Sequence, residues 1–182
     1  MDIVLPILTF LAGIITTVLL IAARKSDKVT IQRSAYIAAA PSAIFPLIND
    51  LRAHTSWSPF NQDPNMQRTY SGPAKGVGSV LDFDDRKAGT GRIEITDASQ
   101  PTQVILRLVM TKPMNCDNQI KISLTPRGNG TDVSWSMSGR APFLAKLMGT
   151  VMDCEGMCGG MFEKGLATLK TLTENGPARE VA

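Results

Sequence analysis

Histidine is nearly missing from this sequence: His54 is the only one in 182 residues. The commonest general base and metal ligand is therefore available at a single position. His54 lies in a loop-like stretch and reads as a solvated surface side chain. Cysteine is scarce as well. Cys116, Cys154 and Cys158 are an odd number, which makes no disulfide framework and fits a reducing compartment. Cys154 and Cys158 stand four apart on a helical pattern, but Cys116 and His54 are remote from them in sequence. They read as small core thiols, so no metal and no other cofactor is expected. Charge of either sign is modest, with 19 Lys and Arg against 16 Asp and Glu for a net +3. No basic run or interleaving of basic and aromatic residues occurs, which argues against a nucleic-acid partner. Also absent are Gly-x-Ser-x-Gly, His-Glu-x-x-His, a phosphate-cradling Gly loop and a dinucleotide fingerprint, so no catalytic residue is assigned.

One whole stretch lacks charge. Residues 3–23 carry no ionisable side chain and consist mostly of Ile, Leu, Val, Ala and Thr. As a helix they extend about 31 Å, close to the hydrocarbon thickness of a bilayer. A cleaved signal peptide needs basic residues ahead of the apolar run, where only Met1 and Asp2 stand, and Ile21-Ala22-Ala23 matches a cleavage site poorly. A buried core helix is rarely apolar all round over this length. Residues 1–24 are therefore expected to form a transmembrane anchor that meets the bilayer through 3–23. Arg24, Lys25 and Lys28 crowd its C-terminal flank, so the positive-inside rule puts the rest of the chain in the cytoplasm. The expected location is a membrane, crossed once, with the rest of the chain on the cytoplasmic side.

Beyond the anchor, residues 28–175 read as one domain, followed by a flexible tail at 176–182. Residues 29–37 alternate, with Val29, Ile31, Ala35 and Ile37 on one side, which marks a half-buried strand. Ala40-Pro41-Ser42 opens a short helix carrying Ile44, Phe45 and Ile48. His54 to Phe60 reads as a second short helix or tight turn. Strand patterns follow at 66–70, 79–83, 91–96, 103–110, 115–125 and 131–138, separated by Gly, Pro, Asn or Asp. Such regular punctuation predicts an antiparallel meander. In the last strand Val133, Trp135 and Met137 share one face, and Asp132, Ser134, Ser136 and Ser138 the other. A long helix is expected over 142–173, with Leu144, Met148, Val151, Cys158, Phe162, Leu166 and Leu169 at helical steps. Met148, Met152, Met157 and Met161 accompany Gly149, Gly156, Gly159 and Gly160 in it. Glycine inside a helix costs about 1 kcal/mol relative to alanine, so this stretch reads as loose and as a deformable wall. A bent sheet covered by one helix leaves a gap between them, the default ligand site.

Several short motifs are shared with a known group. They include Ala39-Ala-Pro41-Ser-Ala-Ile-Phe45, Trp57-Ser-Pro59-Phe60, Asp63-Pro-Asn65-Met66, Gly76-Val-Gly78-Ser, Thr131-Asp-Val-Ser-Trp135-Ser-Met137-Ser-Gly139 and Phe162-Glu-Lys-Gly165-Leu. In these the chain resembles the SRPBCC group, the START-like superfamily of polyketide cyclase/dehydrase and lipid-transport type, and its membrane-anchored bacterial members in particular. The resemblance spans about residues 28–173. It implies an α+β helix-grip fold of about seven strands wrapped round a long C-terminal helix, with an apolar cavity inside. The group spans carriers, cyclases, hydrolases and regulators, so it does not imply one activity.

The residues expected to line the cavity are Trp57, Phe60, Phe83, Trp135 and Phe162, together with Met66, Leu106, Met137, Met148 and Met152. Glu94 and Arg107 sit on strand faces opposite their apolar neighbours and read as solvated. The favoured function is membrane-tethered binding of a small hydrophobic ligand: a lipid, isoprenoid, quinone or polyketide-like molecule. Two alternatives stand beside it. One is a polyketide cyclase- or hydrolase-type enzyme (cyclase/dehydrase-like) using polar cavity residues, which needs a titratable group pointing inward. The other is an interaction or scaffold domain at the membrane, which needs a filled interior.

Overall fold

Period-two alternation between Gly- and Pro-marked turns gives seven strands in the computed structural model, which describes residues 4–24, 26–141, 146–147 and 154–175. They are β1 (Lys28–Ile37), β2 (Gln67–Ser71), β3 (Val80–Asp85), β4 (Gly89–Ser99), β5 (Gln103–Lys112), β6 (Cys116–Arg127) and β7 (Gly130–Arg140). All pair antiparallel in one sheet of order β1-β7-β6-β5-β4-β3-β2. The β4–β5 register shifts between Thr90 and Gly91 and again between Ile95 and Asp97. Each irregularity adds local bend and twist, which curls the sheet towards one face.

The strand order dictates what covers that face. β1 and β2 are the two edges, so the chain between them must traverse the whole sheet. It does so as α2 (Pro41–Ile48), α3 (His54–Trp57) and a 3-10 turn (Pro59–Asn61). Pro41 opens α2 at a position where its missing N–H costs nothing. Ile44, Phe45 and Ile48 then enter the core.

The remaining cover is α4 (Cys154–Glu174), the described part of the long helix expected over 142–173. It runs alongside β1 in the same direction. Arg33 Nε lies 2.8 Å from Glu163 Oε1, Lys170 Nζ donates to the Tyr36 carbonyl at 3.2 Å, and the Ala38 N–H donates to Glu174 Oε1 at 2.6 Å. Phe162, Leu166 and Leu169 bury themselves against Ile31, Ile37, Val133 and Trp135 in one continuous core. A seven-stranded curved antiparallel sheet around a C-terminal helix is the helix-grip arrangement.

Two glycines of α4 have a role other than looseness. A Cβ on Gly159 would collide with the Arg33 guanidinium, and one on Gly165 would stand 2.6 Å from Trp135 Cζ3 and 3.0 Å from Pro59 Cδ. These two residues are small so that α4 can lie close to the sheet.

Ahead of the sheet, α1 (Val4–Arg24) is one helix long and apolar enough to cross a membrane, with mean hydropathy 2.1 over its last 18 residues and only 6% of that stretch buried. Thr16 and Thr17 donate their hydroxyls back to the carbonyls of Ala12 and Gly13 at 2.8 Å. Both polar groups are thus satisfied within the helix, as an apolar surround requires.

Candidate ligand cavity

The apolar face of β7 places Trp135 opposite the middle of α4. Its indole stacks on Phe162, with ring centroids 4.4 Å apart and planes within 3°. Trp57 meets Trp135 edge-on at 5.1 Å, and Phe60 meets both Trp135 and Phe162 edge-on at 6.2 and 6.1 Å. Offset and edge-on pairs of this kind add to the burial of the rings themselves. Trp57 is fixed further by its Nε1–H, which donates to the Leu47 carbonyl at 2.9 Å.

These rings do not fill the space between sheet and helix. They wall a cavity of about 270 Å³, completed by Leu106, Leu108, Ile120, Ile122 and Met137 from the strands, Phe83 and Ile93 from β3 and β4, and Cys158 from α4. The volume lies above the ~150 Å³ that admits benzene and just below the range of about 300–1,000 Å³ typical of drug-sized ligands. Among the described lining residues there is no Asp, Glu, Lys or Arg.

Trp57, Phe60, Phe83, Leu106, Trp135, Met137 and Phe162, each expected from the sequence to line a cavity, stand in this wall. Met66 is buried just ahead of the edge strand β2 and is not part of it. Met148 and Met152 lie outside the described residues. Of the other two helix methionines, Met157 is 65% exposed and Met161 half-buried, and neither lines the cavity. Cys116 and Cys158, distant in sequence, are both in its wall. Burial pushes the Cys116 thiol up, which keeps it protonated and a poor nucleophile. Among the described residues no group of three or more His, Cys, Asp or Glu could hold a metal ion.

His54 corrects the sequence expectation. It is no surface residue but 5% exposed, packed edge-on to Trp57 with ring centroids 4.9 Å apart, and part of the cavity wall. Its Nε2 lies 3.0 Å from the Ile48 carbonyl. A carbonyl only accepts, so Nε2 carries the proton. Burial lowers the His54 pKa from its ordinary range, so the ring is neutral and Nδ1 is a bare acceptor.

Two further polar residues escaped the sequence reading. Ser58 and Asn61 are 4% and 3% exposed and line the same cavity. The Ser58 N–H donates to the His54 carbonyl at 2.8 Å and the Asn61 N–H to the Ser58 carbonyl at 2.9 Å. Arg68 holds this turn from behind, its Nη2 donating to the carbonyls of Asn61 and Asp63 at 2.6 and 2.8 Å. The spacing of 54, 58 and 61 is one helical face, and that was the available signal. Glu94 and Arg107, by contrast, pair across β4 and β5 on the outer face, where Arg107 forms a fork with Asp117 at 2.6 and 3.0 Å.

A curled antiparallel sheet gripping one helix around an apolar hollow defines a helix-grip protein. Solved structures share the architecture. The Aha1 protein of Colwellia psychrerythraea is 22% identical with a TM-score of 0.59, covering 82% of this chain and 98% of that one. Protein MLL2253 of Mesorhizobium loti is 13% identical with a TM-score of 0.61, covering 81% and 98%. DynU16, from the dynemicin biosynthetic locus, is 14% identical with a TM-score of 0.59, covering 84% of this chain and 49% of its own. No curated protein matches in sequence. A family model does: residues 28–174 match polyketide cyclase / dehydrase and lipid transport, and the chain belongs to that family.

Proposed function

We propose that this chain binds a small hydrophobic molecule in the cavity beneath α4, while α1 tethers it to the bilayer that supplies the ligand. One observation carries the reading: two tryptophans and Phe162 wall an uncharged hollow of about 270 Å³ that the protein's own side chains leave open. Moving apolar ligand surface from water into such a space yields about 25 cal/mol per Å². Tethering to a membrane raises the local concentration of dissolved lipid without any added contact. The family description includes lipid transport, which is consistent. A scaffold with a filled interior is less well supported, because the interior holds this hollow.

Native mass spectrometry of the full chain in detergent, followed by identification of what co-purifies, tests the proposal. The expected result is one apolar molecule per chain, displaced when the half-buried Leu108 of the wall is enlarged by Leu108→Phe. Ligand-free protein that also takes up no apolar probe overturns it.

A cyclase- or dehydrase-type reaction is the second reading, favoured by the neutral, inward-placed His54 with its free Nδ1 lone pair. It predicts that His54→Gln protein retains a chemically different molecule from wild type, substrate in place of product.

A further inference from the structure

The walls of the cavity are not uniformly apolar, and three of the polar residues come from one short segment. Ser58 Oγ, the Asn61 side-chain amide and His54 Nδ1 make no hydrogen bond among the described residues, although all three residues are at least nine-tenths buried. Buried polar atoms are normally paired, and an unpaired one is costly unless something else satisfies it. The three residues that carry these groups follow one another along one short segment, and all three line the hollow. Two other polar side chains stand in the wall: Asn118, whose Nδ2 lies 3.5 Å from Cys116 Sγ and 3.7 Å from Met137 Sδ, and Trp135, whose buried Nε1–H has no partner and adds one further donor.

We infer that the cavity selects a neutral amphipathic ligand with a single hydroxyl or carbonyl end group, held by His54, Ser58 and Asn61, while its apolar body lies against Trp135 and Phe162. The inference rests on the cavity being a ligand site. A hydroxyl donates to Nδ1 and accepts from Ser58 or the Asn61 amide, so the three groups meet both needs of an alcohol. A ketone or quinone oxygen is met by the Ser58 hydroxyl and the amide. A carboxylate or phosphate is excluded by the wall itself, because the described lining carries no cation to offset a buried anion.

The chain contains two tryptophans, Trp57 and Trp135, and both line the cavity, so their fluorescence reports occupancy. The full chain in detergent micelles is titrated with bromodecane, bromodecanol and bromodecanoate, each brominated at the tail. Bromodecanol is expected to quench at roughly tenfold lower concentration than bromodecane, the worth of one well-made hydrogen bond, and bromodecanoate to bind worst. Ser58→Ala and Asn61→Ala should each shrink the alcohol's advantage several-fold and leave bromodecane unchanged. That constancy also reports that the cavity has stayed folded. Equal quenching by alcohol and hydrocarbon, tightest binding by the carboxylate, or an alcohol preference that survives both substitutions overturns the inference while leaving the cavity reading intact. Failure of all three probes overturns both.

Discussion

Gly165 on α4 lies so close to Trp135 on β7 that a methyl group in its place would stand 2.6 Å from the ring atom Cζ3, with Pro59 Cδ at 3.0 Å behind it. Gly165 and Trp135 therefore set the spacing of helix and sheet at the cavity wall. Alanine at 165 gains about 1 kcal/mol in helix propensity but meets a clamped ring, and overpacking of this kind costs about 1–3 kcal/mol. Gly165→Ala is expected to lower stability, whereas Gly160→Ala, which has open space around it, should raise it by about 0.5–1 kcal/mol. Denaturant unfolding of the two variants checks the contrast. Equal stabilisation by both would remove the close-contact role of Gly165.

Phe60 touches Trp135 and Phe162 through ring edges only and is half-buried. Truncating it should enlarge the cavity without removing the central stack. Phe60→Ala is expected to cost about 2–3 kcal/mol, less than the 3–5 kcal/mol typical of a fully buried ring, and to weaken uptake of apolar fluorescent probes several-fold. Unchanged probe binding in a folded variant would argue that ligands sit elsewhere.

The sheet was legible in the sequence because its signals are local. Val133, Trp135 and Met137 alternate with serines, and the turn residues fall where the chain reverses, so β7 and its neighbours needed only period-two reading. Trp135 followed from the same alternation and Phe162 from the helical spacing of the last segment. What escaped depends on contacts between distant segments. His54 looked like a surface residue because nothing near it in sequence says that the β1-to-β2 connection crosses the apolar face; that follows from β1 and β2 being opposite edges. Ser58 and Asn61 were hidden by the same crossing. Gly159 read as softness because the group it admits, Arg33, comes from a strand far away in the chain.

His54 makes stability depend on pH in a defined direction. Its folded pKa is lowered by burial below the unfolded value of about 6.5. The unfolded chain then binds the extra proton first as pH falls, so the native state loses stability below about pH 6.5, by up to about 1.4 kcal/mol per pH unit for one proton. The lowered carboxyl groups Asp27, Asp63 and Asp117 titrate further down, near and below about pH 4, and leave the window from about 6.5 to 5 to His54. Unfolding midpoints measured across that window should fall with pH in wild type and stay nearly level in His54→Gln. Parallel slopes would mean that the imidazole is protonated in the native state.

The flanks of α1 allow the proposed membrane orientation to be tested by reversal. Arg24, Lys25 and Lys28 follow the apolar run, and under the positive-inside rule a flank of this charge is expected on the cytoplasmic side. Lys28 is exposed at the start of β1, across from Arg140, so its loss should cost the sheet little. In bacterial cells, a C-terminal fusion to a reporter that works only in the cytoplasm is expected to be active. Neutralising the three flanking cations to glutamine and placing lysines ahead of Ile3 should cut that activity sharply and expose the domain to external protease. Release of the wild-type protein into the soluble fraction would show instead that α1 does not anchor it. Without an anchor, a cavity holding a neutral, membrane-dissolved molecule would lose its source of supply.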